Sequence, residues 1–168
     1  MAFGIRGHIE KRTQMDNTKL ENTNAIIEQV SMITGKNEHL RDIRQIPALT
    51  LAYLGDAIYE LIIRTTLVEE GMCHVDSLNK KASGYAKAPT QAKIFHIIEP
   101  DLSEDEMACY KRGRNAKSGS VAKSGTVAEY RVATGFEALM GYLYLDGKND
   151  RVLELVSKGI TELNIKQV

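Results

Sequence analysis

The 168-residue chain has little cysteine, little proline and no charge imbalance. Its two cysteines, Cys73 and Cys109, are far apart and in no metal-ligand spacing. That excludes a disulfide scaffold and suits free thiols in a reducing cytoplasm. The formal net charge is zero, so the molecule is no polycation, and any nucleic-acid surface must come from local clustering. No stretch has the length and apolar purity of a membrane span, and the first residues lack the apolar core of a signal peptide. No run alternates with period two, which leaves no convincing strand. The four histidines, at positions 8, 39, 74 and 96, show no ligand spacing, and none adjoins an aspartate, which argues against a His-Asp phosphohydrolase. His74 and His96 read as surface or core residues. There is no internal repeat and no low-complexity tract.

What remains is helical periodicity, and it predicts an all-α domain of six to seven helices. Residues 1–40 read as a polar lead-in with one helix over 24–34, and Met15 as a sensible first residue of the natural chain. The domain proper is placed at 41–168. The three prolines act as punctuation: Pro47 in the first turn of a long helix, Pro89 opening another, Pro100 ending it. The long helix runs from Leu49 to about Glu70, with Gly71 as its stop. Asp76 or Ser77 caps the next, from Leu78 to about Ala86. Ser103 with Glu106, and Thr126 with Glu129, match the capping-box pattern. They open helices from Glu104 to about Arg112 and from Val127 to about Leu145, the latter closed by Asp146 and Gly147. The glycine- and serine-rich stretch 113–125 reads as a flexible loop, and a last helix covers 151–163.

Two of these helices carry an acid in an apolar setting. Stretch 49–64 (LTLAYLGDAIYELIIR) is apolar on nearly every face, as a central buried helix is, yet holds Asp56 at its middle. Gly55 beside it predicts close packing against that backbone. A lone carboxylate there needs a cation, a donor or a wet cleft; the alternative is a narrow exposed seam with Tyr59 and Glu60. Stretch 133–145 repeats the pattern with Glu137 and, one turn on, Gly141. Packed side by side, the two helices would let Asp56 and Glu137 converge on one cation, and such oxygen ligands suit Mg²⁺. The alternative for Glu137 is an arginine in the core.

The segment LAYLGDA (51–57) resembles the signature helix of the ribonuclease III family, and FEALMGYLYLD (136–146) resembles its second. KRGRNAKSG (111–119), with Tyr130 and Arg131, is similar to a loop motif of the Mini-III branch, the short members without a double-stranded-RNA-binding domain. The resemblance covers roughly 49–163. It implies the ribonuclease III catalytic fold, a homodimer, and Mg²⁺-dependent hydrolysis of double-stranded RNA with Asp56 and Glu137 as catalytic metal ligands. It also implies the paired stem of the 23S (large-subunit) ribosomal RNA precursor as substrate, in the cytoplasm, with a ribosomal protein as a candidate helper. Bacterial ribonuclease III carries acids at the positions of Leu49, Ala52 and Thr134, and this chain does not, which puts a fully ligated two-metal site in doubt.

Local charge supplies the RNA surface. Residues 107–128 contain no acid, but Lys111, Arg112, Arg114, Lys117 and Lys123. Together with Asn115, Ser118 and Arg131 these are the groups expected to grip phosphates, since duplex RNA is recognised mainly by shape through its backbone. A second acid-free run, 77–98, holds Lys80, Lys81, Lys87 and Lys93. The alternative is a solvated charged face. The competing reading of the whole is a catalytically silent RNA-binding or ribosome-associated domain; retention of two acids inside apolar helices argues against it.

Overall fold

The computed structural model describes Val30, residues 42–117 and residues 125–165. Apart from Val30, which is helical, the expected lead-in and its helix lie outside the described residues, as do Ser118 and Lys123. Among the described residues there are six α-helices and no strand. They are α1 (Ala48–Glu69), α2 (Val75–Ala86), α3 (Ala88–Ile98), α4 (Glu104–Asn115), α5 (Val127–Leu145) and α6 (Asn149–Ile165), with short 3₁₀ turns at Ile43–Gln45 and Glu99–Asp101.

The helix ends follow local chemistry. Both capping boxes form. Ser103 Oγ accepts from the Glu106 amide at 3.3 Å while Glu106 accepts from the Ser103 amide at 2.8 Å. Thr126 and Glu129 do the same at 3.2 and 2.7 Å. Each closes two otherwise orphaned amides of a first turn. Gly71 and Gly147 end α1 and α5 at φ of 82° and 72°, backbone that a side chain would strain. Two boundaries differ from the sequence reading. Helix α2 starts at Val75 behind His74 with no side-chain cap, so Asp76 and Ser77 lie inside it. Helix α4 continues through Gly113 to Asn115, because Gly113 is packed rather than free.

The centre of the fold is α5. It contributes ten buried residues, among them Phe136, Leu139, Met140 and Leu143. Around it sit Leu51, Tyr59, Ile63 and Leu67 of α1, Ile94, Phe95 and Ile98 of α3, and Val152, Leu155 and Val156 of α6. Each such apolar side chain contributes on the order of 1.5–3 kcal/mol of burial. Helix α1, which the sequence reads as the buried centre, is buried on one face only. Tyr53 is 83% exposed and Leu61 59%. Leu49, Tyr53, Ala57 and Leu61 recur every fourth residue, so they form one apolar stripe on the outside of the molecule.

Glycines set how closely α5 is approached. A Cβ at Gly55 would lie 1.8 Å from the Glu137 carbonyl oxygen, and one at Gly141 would lie 2.1 Å from that of Leu51. Helices α1 and α5 therefore cross backbone against backbone, and no other residue fits at either position. On the far side of α5, a Cβ at Gly113 would meet Ala138 at 2.6 Å, and one at Gly135 would meet the Tyr110 ring at 2.6 Å. The segment bearing Glu137 is clamped from both sides.

Candidate active site

The Gly55–Gly141 crossing places the two acids. Asp56 follows the contact residue of α1, and Glu137 is itself the contact residue of α5. The backbone on which each carboxyl stands is thereby fixed by packing, and the charge of Asp56 is felt at Glu137.

The pair is electrostatically unsettled. Burial, and next the charge of Asp56, push the Glu137 carboxyl up to about 7. Asp56 is exposed; its carboxyl is nevertheless held above the usual range, first by partial burial and then by Glu60 one turn on. Glu60 is itself taken by Arg64. Among the described residues no cation pairs with Asp56 or Glu137, and the core arginine that would have explained Glu137 structurally is on another acid. Arg151 grips Glu106 through two hydrogen bonds, at 2.9 and 3.1 Å.

No group of three or more His, Cys, Asp or Glu side chains converges among the described residues. The donor set for a cation is thus two carboxylates. Two hard oxygen donors, with the rest of the shell left to water and phosphate oxygens, fit a hard divalent ion such as Mg²⁺, and the unneutralised Glu137 fits a cation in particular. The neighbouring positions offer nothing further. Ala52 is buried, and Thr134 is buried with its hydroxyl donating to the Tyr130 carbonyl at 3.0 Å.

The basic residues separate into two groups. Arg114, Asn115, Lys117 and Arg131 line one groove of about 360 Å³, with Tyr130 and Thr134 in its wall. Arg114 stands 6.0 Å over the Tyr110 ring, which itself stacks on Phe95 at 3.7 Å, so the guanidinium is steered by the core. The groove lies along the first turns of α5 and so leads toward Glu137. Arg112 is not part of it. It projects from the other side of α4 and donates to the Arg44 carbonyl, beside Asp105 and Cys109. Lys111 is exposed outside the groove. Of the second basic run, Lys80 and Lys81 line a separate cavity of about 580 Å³, and Lys81 pairs with Glu70 at 3.3 Å.

One residue escaped the sequence reading. Gln91 of α3 is 1% exposed, and its amide nitrogen has no hydrogen-bond partner. The side chain bears on Glu137, and its hydrogen-bonding influence favours the charged carboxylate. The available signal was its spacing. Gln91 stands three, four and seven residues before the core residues Ile94, Phe95 and Ile98, a polar side chain on a core face.

The Ribonuclease III domain family matches residues 49–148. A protein named Mini-ribonuclease 3 from Symbiobacterium thermophilum is 49% identical over 111 residues, covering 66% of this chain and 85% of the relative. Its namesake from Enterococcus faecalis is 46% identical over 132 residues, covering 76% of this chain and all (100%) of the relative. A crystal structure of a Fusobacterium nucleatum protein superposes with a TM-score of 0.66 at 36% identity, covering 73% of this chain and 98% of that one.

Proposed function

The chain belongs to the ribonuclease III family, in its Mini-ribonuclease 3 branch, and is an endoribonuclease; from that premise we propose that it cuts double-stranded RNA with Mg²⁺ held by Asp56 and Glu137. The observation that carries this is Glu137: a largely buried carboxylate, anchored by backbone contact beside Asp56, with no protein cation among the described residues. When bound, the cation supplies Lewis acidity toward water and the scissile phosphate. The chain's own residues supply placement. The glycine crossing holds the two carboxyls in register, and ionised Glu137 and Asp56 bind the cation. Arg114, Asn115, Lys117 and Arg131 take backbone phosphates of the duplex along their groove, as forks and point charges suited to that role.

A second copy of the chain completes the proposal. The stripe of Leu49, Tyr53, Ala57 and Leu61 runs beside Asp56 and is apolar and uncovered. A two-fold dimer across it would bring two such acidic pairs to one duplex, one per strand. Gly55 plays no part in that interface, since its close neighbour is the backbone of α5 in the same chain. The unit from residue 41 onward is taken as the catalytic part. The substrate is assigned as the stem of the 23S ribosomal RNA precursor, in the cytoplasm, by likeness to the branch. The test is cleavage of a long duplex and of single strands, with Mg²⁺ and with chelator, alongside light scattering at micromolar concentration. Duplex cutting that needs Mg²⁺, by a dimer that Tyr53→Arg dissociates, is expected. Chelator-resistant cutting, or paired cuts by a stable monomer, would overturn it.

A further inference from the structure

We infer that Gln91 is the positioning residue of this site: its buried amide nitrogen holds the Glu137 carboxylate in the orientation that receives the divalent cation. The inference rests on the metal reading of Asp56 and Glu137 proposed above.

A glutamine amide sealed from water without a partner is costly, and native cores rarely keep one. Gln91 is the one described residue with such a buried, unpartnered side-chain nitrogen. It is not at a surface that could be wetted, being 1% exposed among Ala92, Ile94 and Phe95 on the same buried face. The acceptor it bears on is Glu137. The Gln91 amide is a donor only through its nitrogen, and a carboxylate has two oxygens to offer. One oxygen held by that amide leaves the other free to face a cation. The backbone of α5 fixes where Glu137 starts, but its side chain has three further torsions, and Gln91 is the neighbour that can choose among them. Second-layer hydrogen bonds of this kind keep metal-ligating carboxylates aimed and typically alter metal affinity by about 10–100-fold. An apolar residue of the same size would fill the space equally well and would not orient the acid.

The test is Mg²⁺ binding by calorimetry to the full chain, with no RNA present, together with the Mg²⁺ dependence of duplex cleavage. The variants are Gln91→Leu, Gln91→Met, Glu137→Gln and the double variant Gln91→Leu/Glu137→Gln. Either apolar substitution should weaken Mg²⁺ binding about 10-fold or more, and raise the Mg²⁺ needed for half-maximal cleavage by the same factor. Thermal stability should be equal or higher, since an orphaned amide is removed. In the Glu137→Gln background the Gln91 substitution should change nothing further, because it acts through that carboxylate. Wild-type Mg²⁺ affinity in both apolar variants would overturn the inference, as would an equal loss in the Glu137→Gln background. If Glu137→Gln itself binds Mg²⁺ and cleaves like wild type, the metal reading falls, and this inference with it. If Glu137→Gln fails while the Gln91 variants behave as wild type, this inference alone falls.

Discussion

Glu106 and Glu137 are both carboxylates set into packed helices, and the fold treats them in opposite ways. Glu106 stands at the first turn of α4, accepts from the Ser103 amide, and takes two bonds from Arg151, which also donates to the Asp101 carbonyl at 2.7 Å. Burial pushes its carboxyl up, but Arg151 and the capping bonds outweigh that and leave it below the ordinary range. Glu137 stands in the middle of α5, where no helix terminus helps it, and its charged neighbour is Asp56, of like sign. Among the described residues, then, an arginine neutralises Glu106, and no protein cation does the same for Glu137. A carboxylate left without a counter-charge at the α1–α5 crossing is what the proposed cation site requires.

Several substitutions would break or sharpen that contrast. The largest effect is expected on turnover. Glu137→Gln and Asp56→Asn should each lower duplex cleavage by about 10³-fold or more, as removal of a group made for the transition state does. Glu106→Ala should leave the rate per folded molecule within a few-fold of wild type. Gel-based cleavage at saturating Mg²⁺ decides this, and a Glu137→Gln enzyme that keeps wild-type turnover removes that residue from the chemistry.

Stability should reverse the ranking. Glu106→Ala strands Arg151 and deletes half a capping box, and should cost about 3 kcal/mol in urea unfolding. Metal-free Glu137→Gln should cost nothing or stabilise, because an unfavourable charge is gone. A large loss in the second and none in the first would invert the account.

The two acids should also give opposite pH slopes to metal-free stability. The Glu137 pKa is raised from the ordinary 4.5 to about 7. Its contribution is thus fully present below the unfolded value and is lost as pH rises through about 7, a fall on the order of 3 kcal/mol. The Glu106 pKa is lowered, so its contribution is present above the unfolded value and is lost as pH falls through the folded one. Thermal melts from acid to pH 8 should show a decline toward neutrality in wild type that Glu137→Gln flattens.

The smallest effects concern a parallel contrast between arginines. Arg112 is spent on the Arg44 carbonyl, whereas Arg114 lines the open groove. Arg112→Ala should cost up to about 1 kcal/mol of stability and leave the salt dependence of duplex binding alone. Arg114→Ala should leave stability alone and reduce the slope of log K against log salt by a little under about one unit. Filter binding across a salt series separates the two.

Much of this was legible in the sequence, for physical reasons that differ by residue. Capping boxes and stop glycines are local chemistry, so Ser103, Thr126, Gly71 and Gly147 could be read directly. The acid–glycine pairs Asp56 with Gly55 and Glu137 with Gly141 announced two helices in close contact, and the contact is there. Burial was less legible. An apolar residue looks the same in sequence whether or not its own domain covers it, so Leu61 read as part of a buried helix and is 59% exposed. Gly113 read as the start of a loop because glycine breaks helices unless something presses on it, and what presses, Ala138 and Gly135, lies on another helix. Arg112 was visible in sequence as a charge, and its tertiary partner, a backbone carbonyl 68 residues away, was not.

The most direct measurement is the melting temperature of wild type and Glu137→Gln at pH 8, each with and without 10 mM Mg²⁺ and without RNA. A ligand that binds only the folded state stabilises by about 1.4 kcal/mol at roughly ten times its dissociation constant. The account predicts that Mg²⁺ raises the melting temperature of wild type by a few degrees and leaves Glu137→Gln unmoved. An equal rise in both proteins, or a fall in wild type, would contradict it.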